Sequence, residues 1–135
     1  MKAVLAIGQI LFSLIFINSG IGHLTKLEAM TGYAKYKKVP AAKLSVVVTG
    51  LMILVGGVFV ALGIYPDLGA LLLAIFLIPT AFMMHAFWKE TDATTKMNET
   101  VGFFKDLSLA GAALVIFALI HGGAELGIHI TKAFF

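Results

Sequence analysis

His23 in "SGIGHLTK", His85 in "MMHAFWKE" and the adjacent Lys105 and Asp106 in "FFKDLSL" are side chains able to move protons, and each sits where an apolar stretch meets polar sequence. Imidazole titrates near neutrality, and buried carboxylates or ammoniums can be shifted toward it. Such a set could bind the carbonyl oxygens of a ligand and relay protons to them. Asn18 and Lys26 add further polar groups, and Trp88 or Phe87 could stack on a flat ring. Ser19, His23 and Lys26 are spaced i, i+4, i+7 and share one face while a helix lasts; His85 and Trp88 are spaced i, i+3. Lys105 and Asp106 project about 100° apart, so they are not natural partners for each other and one should face across the molecule. A short carboxylate cannot snorkel far and needs a partner when buried. His85, His23 and Lys26 are the groups available to Asp106.

Each of these residues also has a plainer reading. Trp88 and Lys89 are what an aromatic belt with a snorkelling lysine carries at any helix end. Lys105 can reach water, and His121 and His129 read as ordinary terminal residues. His23 and His85 could in principle ligate a haem, but no second histidine pair supports it. No cluster of histidines and carboxylates has diagnostic metal spacing, so neither haem nor a metal is expected.

Several chemistries are excluded by composition. The absence of cysteine removes disulfides, thiolate metal sites, cysteine-ligated iron–sulfur clusters and thiol relays. All ten basic residues are lysines, so the bidentate guanidinium clamp is missing. A net charge of +3 spread over loops gives no reason to expect nucleic acid.

The elements that must position these residues are membrane spans. Hydrophobic residues make up 60% of the 135-residue chain and charged ones 13%, with a mean hydropathy of +1.01. A soluble domain would carry far fewer apolar and far more charged residues. A hydrocarbon core of about 30 Å takes roughly 20 apolar residues as a helix, and four stretches supply them, near 3–22, 44–64, 68–88 and 102–121. The expected fold is all-α, a single transmembrane domain forming an integral membrane four-helix bundle, with residues 122–135 as a C-terminal tail. The first stretch resembles a secretory signal, but it is too long and lacks a small-x-small cleavage site, so it reads as a retained helix. The loop after it places Leu24, Leu27, Met30 and Ala34 near helical spacing, beside Tyr33, Tyr36 and lysines. That pattern suits either a short interfacial helix or a solvated loop. Gly50, Gly56, Gly57 and Gly63 in the second span, and Ser108, Gly111, Ala112 and Ala113 in the fourth, suit close helix packing. Pro79 should kink the third helix and free a carbonyl near Ile75.

Four spans place the two long connections on one face and both termini on the other. Eight lysines fall on the long-loop face and only Lys2 and Lys132 opposite. The positive-inside bias therefore predicts cytoplasmic long loops and both termini outside. The ends of the first and third spans and the start of the fourth then share one membrane boundary, where Asn18, His23, Lys26, His85, Trp88, Lys105 and Asp106 could form a polar ligand pocket.

Four segments in order, "FINSGIGHL", "GYAKYKKVP", "FMMHAFW" and "FFKDLSLAGAAL", resemble the DoxX family of small four-helix bacterial membrane proteins, a likeness running to about Ile120. The resemblance implies a multi-pass protein of the bacterial cytoplasmic (inner) membrane, with signature polar positions at Asn18 to Lys26, His85, Trp88, Lys105 and Asp106. His23 stands where lysine is more usual and Asp106 where asparagine is, and both changes alter the pocket's charge. Related chains serve as membrane subunits of quinone-linked oxidoreductases such as thiosulfate:quinone oxidoreductase, or act in quinone detoxification or oxidative-stress assemblies. The function this implies is that of a quinone-associated oxidoreductase component, with quinone as the expected ligand. Since the chain carries no cysteine and no GxGxxG after a strand, electrons would have to come from a soluble or membrane redox subunit or a loosely bound cofactor. The other reading is non-enzymatic: a membrane scaffold, an assembly factor or a lipid or small-molecule binder. A homo-oligomer is compatible with both.

Overall fold

The structure is a computed structural model describing residues 1–135, and it is all-helical as expected. Helix α1 spans Lys2–Thr25, α2 Leu27–Tyr36, α3 Ala42–Leu62, α4 Pro66–Met84 and α5 Ala93–His121, with a single 3₁₀ turn at Phe87–Lys89. Helices α1, α3, α4 and α5 are each long and apolar enough to cross a membrane. In hydrocarbon a helix is the one local way for a chain to satisfy every backbone N–H and C=O, and these uncharged runs adopt it throughout. Large apolar side chains such as Leu11, Leu14, Ile78 and Val115 point outward, as a lipid-facing surface requires.

The boundaries have identifiable causes. Gly63 ends α3 in the left-handed region (φ 61°), and Pro66 opens α4 within a turn that costs no backbone donor. The fourth long helix starts at Ala93, not near Gly102. Asp92 caps it by accepting from the Thr95 N–H and hydroxyl, each at 2.8 Å. At about 1.5 Å per residue its 29 residues run to about 44 Å, so its first turns project beyond a hydrocarbon core of about 30 Å. The "KETDATTKMNETVGFFKD" segment is therefore largely helix and not loop. The third long helix stops at Met84, so His85 and Trp88 do not share a helical face.

The long helices pack as a folded row, α1 on α3, α3 on α4 and α4 on α5, while α1 and α5 close no extensive face against each other. Phe16, Ile53, Leu73, Leu77, Ala110 and Ala113 form the shared core. Glycines set the spacing. A Cβ on Gly56 would stand 3.0 Å from the Gly69 carbonyl oxygen, and one on Gly69 would stand 3.0 Å from that of Gly56. In α5 only Ala113 of the four expected small residues faces the bundle; Ser108, Gly111 and Ala112 face outward. Helix α2 is formed as one of the two readings of the first loop had it, with Ala34 packed on Ala42 and Val46 of α3 and with Leu27 and Met30 alongside.

The far end of the bundle carries a polar network that the apolar pattern does not announce. The buried Gln9 amide donates to the carbonyls of Val60 and Ile128, both at 2.7 Å, and accepts from the Ile128 N–H at 2.9 Å. The N–H groups of Ile130 and Thr131 both donate to the Gly63 carbonyl. Asp67, 0% exposed, accepts from the backbone N–H of Phe134 at 2.7 Å and of Phe135 at 2.9 Å. The segment after α5 is thus strapped across the hairpin between α3 and α4. Amides bonded to a carboxylate lose about 1.5–3 kcal/mol when it is removed. Asp67→Ala should therefore speed hydrogen exchange at Phe134 and Phe135 by about 30-fold, equivalent to about 2 kcal/mol. Unchanged exchange at those two amides would contradict this role for Asp67.

Candidate functional site

At the opposite end, helix α4 breaks at His85 (φ −117°, ψ 44°). The break has a packing cause. Phe82, Phe87 and Trp88 all gather around Phe103 of α5, with ring centroids 5.2, 5.4 and 5.6 Å away. Edge-to-face aromatic contacts of this kind favour the cluster and pull the chain off the helix axis. Trp88 ends up about half exposed on the outside, and the His85 ring is turned onto α5.

The ring lies over Gly102. A Cβ built there would stand 2.5 Å from Nδ1 and 2.8 Å from Cε1, so only glycine leaves room. Glu99, Gly102 and Asp106 follow one another at i, i+3 and i+7, which puts the two carboxylates on the same face on either side of the ring. Nδ1 lies 2.7 Å from Glu99 Oε2 and Nε2 lies 3.6 Å from Asp106 Oδ2. The two acids stand at opposite edges of the imidazole and do not converge as metal ligands would.

Glu99 is held from its other side by Lys37 at the end of α2, whose Nζ is 3.0 Å from Oε1 and 3.7 Å from Glu90. Burial pushes the Lys37 ammonium down, but the Glu99 hydrogen bond and the neighbouring Tyr33, Glu99 and Glu90 outweigh it and hold the group above its ordinary value. With Glu99 paired to a cation, its carboxylate accepts, so Nδ1 carries the hydrogen and donates. Asp106 is 5% exposed. Lys105, half exposed, bends back to within 3.7 Å of it, so the adjacent residues do pair despite their angular separation. Burial selects Asp106 as the member of the pair that faces inward.

Asp106, His85 and Lys105 form one end of a cavity of about 450 Å³ whose remaining wall is mostly apolar. His23 lines it too, its Nδ1 2.8 Å from the Ser19 carbonyl and its ring edge-on to Phe76 at 6.4 Å. Ile15, Ile75, Pro79 and Met83 line the cavity and are exposed. Its mouth therefore opens sideways between α1 and α4, at the depth of the apolar spans. Pro79 has no N–H to offer the Ile75 carbonyl at this wall.

Of the residues singled out in the sequence, His23, His85, Lys105 and Asp106 are brought together around this cavity. Asn18 lies exposed on the outer face of α1, Lys26 is exposed at the non-helical junction after α1, and Trp88 belongs to the external aromatic cluster. The loss of helical geometry at Lys26 takes it off the face shared by Ser19 and His23. Glu99 and Lys37 were not anticipated. The signal for Glu99 was the spacing to Gly102 and Asp106, legible once the helix is begun at Asp92; Lys37 has no comparable mark.

Four membrane-spanning helices around a side-opening cavity with a charged end define a multi-pass membrane protein that lives in a lipid bilayer. The model of the DoxX family matches residues 4–86, more than half of the chain, and the chain belongs to that family. The match takes in the first two of the four resembling segments and reaches into the third, ending beside His85; Glu99 and Asp106 lie outside it. No curated protein and no solved structure matches the chain.

Proposed function

We propose that this protein is the quinone-associated membrane component of an oxidoreductase, with the quinone head at the His85–Lys105–Asp106 end of the cavity and its tail leaving through the lateral mouth. The observation that carries this reading is the cavity itself. About 450 Å³ lies within the usual range for a small-molecule site, its mostly apolar wall suits an apolar tail, and its charged groups, Lys105 and Asp106, stand together with His85. Phe76 and Leu109 offer apolar contact beside that end. The residues present fit such a head group: the Lys105 ammonium can donate to a ring oxygen, the Asp106 carboxyl and His85 Nε2 can exchange a proton with it, and His23 can complete the polar rim. A bound quinone would supply the two-electron chemistry that these side chains lack, and a redox partner subunit would supply the electrons. The lysine bias supports a topology in the bacterial inner membrane with this site on the cytoplasmic side and both termini outside.

Purification into nanodiscs carrying ubiquinol under anaerobic, reducing conditions, followed by solvent extraction, tests the reading. Quinol is expected to be retained in near-stoichiometric amount. His85→Ala and Asp106→Ala should each lower retention about tenfold, the effect of one polar contact of about 1.4 kcal/mol, with both variants still inserted. Phospholipid alone in the wild-type extract would instead support a lipid-binding or scaffold role and remove the quinone assignment.

A further inference from the structure

Glu99 has no place in the reading above, yet it makes the shortest contact in the site, 2.7 Å to His85 Nδ1. Neutral imidazole carries one hydrogen, and which nitrogen bears it is set by the partner of the other. A carboxylate held by Lys37 at 3.0 Å accepts only, so the hydrogen stays on Nδ1 and Nε2 presents a lone pair. That lone pair points toward Asp106, but 3.6 Å is too long for a hydrogen bond. Asp106 receives none from Lys105 either, at 3.7 Å. Two acceptors therefore stand side by side at the cavity's polar end with a gap between them. Lys37, Tyr33 and Glu90 approach only the Glu99 side of the cluster, which leaves Lys105 as the cation near the gap. An analogue lacking a hydroxyl that such a site is built to receive leaves its acceptors unpaired.

We infer that Glu99 is a positioning residue that locks His85 in the Nδ1–H tautomer, and that the Nε2 lone pair and the Asp106 carboxyl then select an amphiphile whose head group donates a hydroxyl, a phenol or hydroquinone, over the same molecule without the O–H. This rests on the cavity being the amphiphile site proposed above, and it specifies the head group that site prefers.

The test uses the full chain in phosphatidylcholine nanodiscs with two probes, para-dodecylphenol and its methyl ether. The phenol is expected to bind about tenfold more tightly, one hydrogen bond's difference. Glu99→Ala should bring the ratio near unity, because the Nε2–H it allows can donate to the ether oxygen as well, and Glu99→Gln should do the same, because Lys37 takes the single amide oxygen and turns the NH2 onto Nδ1. Nitrogen-15 NMR of histidine-labelled protein, recorded without ligand at a pH where His85 is neutral, should show Nδ1–H in the wild type and Nε2–H in Glu99→Ala and Glu99→Gln. Equal binding of phenol and ether by the wild type, or an unchanged tautomer in Glu99→Ala, overturns the inference. If neither probe binds, the cavity reading falls and takes the selectivity with it; the tautomer, read without ligand, still decides what Glu99 does.

Discussion

Gly102→Ala is expected to lower quinol retention by about 30- to 100-fold while leaving the four spans folded. The added methyl would stand 2.5 Å from His85 Nδ1 and 2.9 Å from Cγ, closer than such atoms approach, so the ring must leave. Its departure breaks the 2.7 Å contact with Glu99 and moves Nε2 away from Asp106. The head group then loses its contact with Nε2, about 1.4 kcal/mol, and the displaced ring crowds the cavity; about 2–3 kcal/mol in all corresponds to that loss of affinity. His85→Ala removes the ring but leaves a space that water can fill, which is why its expected effect is smaller. Alanine is also a better helix former than glycine, so α5 itself should not suffer. Retention measured on the nanodisc-extracted variant, with circular dichroism to verify helix content, decides the matter; retention within threefold of wild type would mean that the ring does not sit over Gly102.

Gly20→Leu should be more damaging still, because it acts on the scaffold. A Cβ at position 20 would lie 2.7 Å from Leu54 Cβ, 2.9 Å from the Leu54 backbone nitrogen and 3.0 Å from the Gly50 carbonyl oxygen. Two of those atoms are main chain and cannot rotate aside, so α1 must lift from α3. Overpacking a tight core typically costs 1–3 kcal/mol and occasionally more, and here about 3 kcal/mol or more is expected, since α1 has no large face on α5 to fall back on. The same displacement takes Ser19 and His23 out of the cavity wall. A thermal melt in mild detergent should show the midpoint fall by several degrees, and quinol retention should be lost as well. A melt unchanged from wild type would show that α1 and α3 are not in the close contact described.

The spans were legible because they are decided locally: an uncharged run of sufficient length has no alternative to a helix in hydrocarbon. The convergence of His23, His85 and Asp106 followed from the same reasoning, since span ends fix which residues share a boundary. What escaped depended on distant partners. Nothing near His85 marks the end of α4; the break answers to Phe103 on the next helix. Lys37 meets Glu99 only because α2 lies beside the projecting turns of α5. Asp67 reads as an ordinary hairpin residue until the last residues of the chain fold back onto it. Depth and the family resemblance placed Asn18 and Trp88 in the pocket, with the i, i+3 spacing from His85 in support of Trp88; depth does not say which way a side chain points around a helix, and the spacing fails once α4 ends at Met84.

The sideways mouth between α1 and α4 has a consequence for how occupancy should be expressed. A guest arriving through it never leaves the lipid phase, so what fills the site is the guest's mole fraction among neighbouring lipids, whatever its solubility in buffer. Affinities measured in micelles should therefore weaken as more detergent is added at constant total ligand, by simple dilution within the apolar phase.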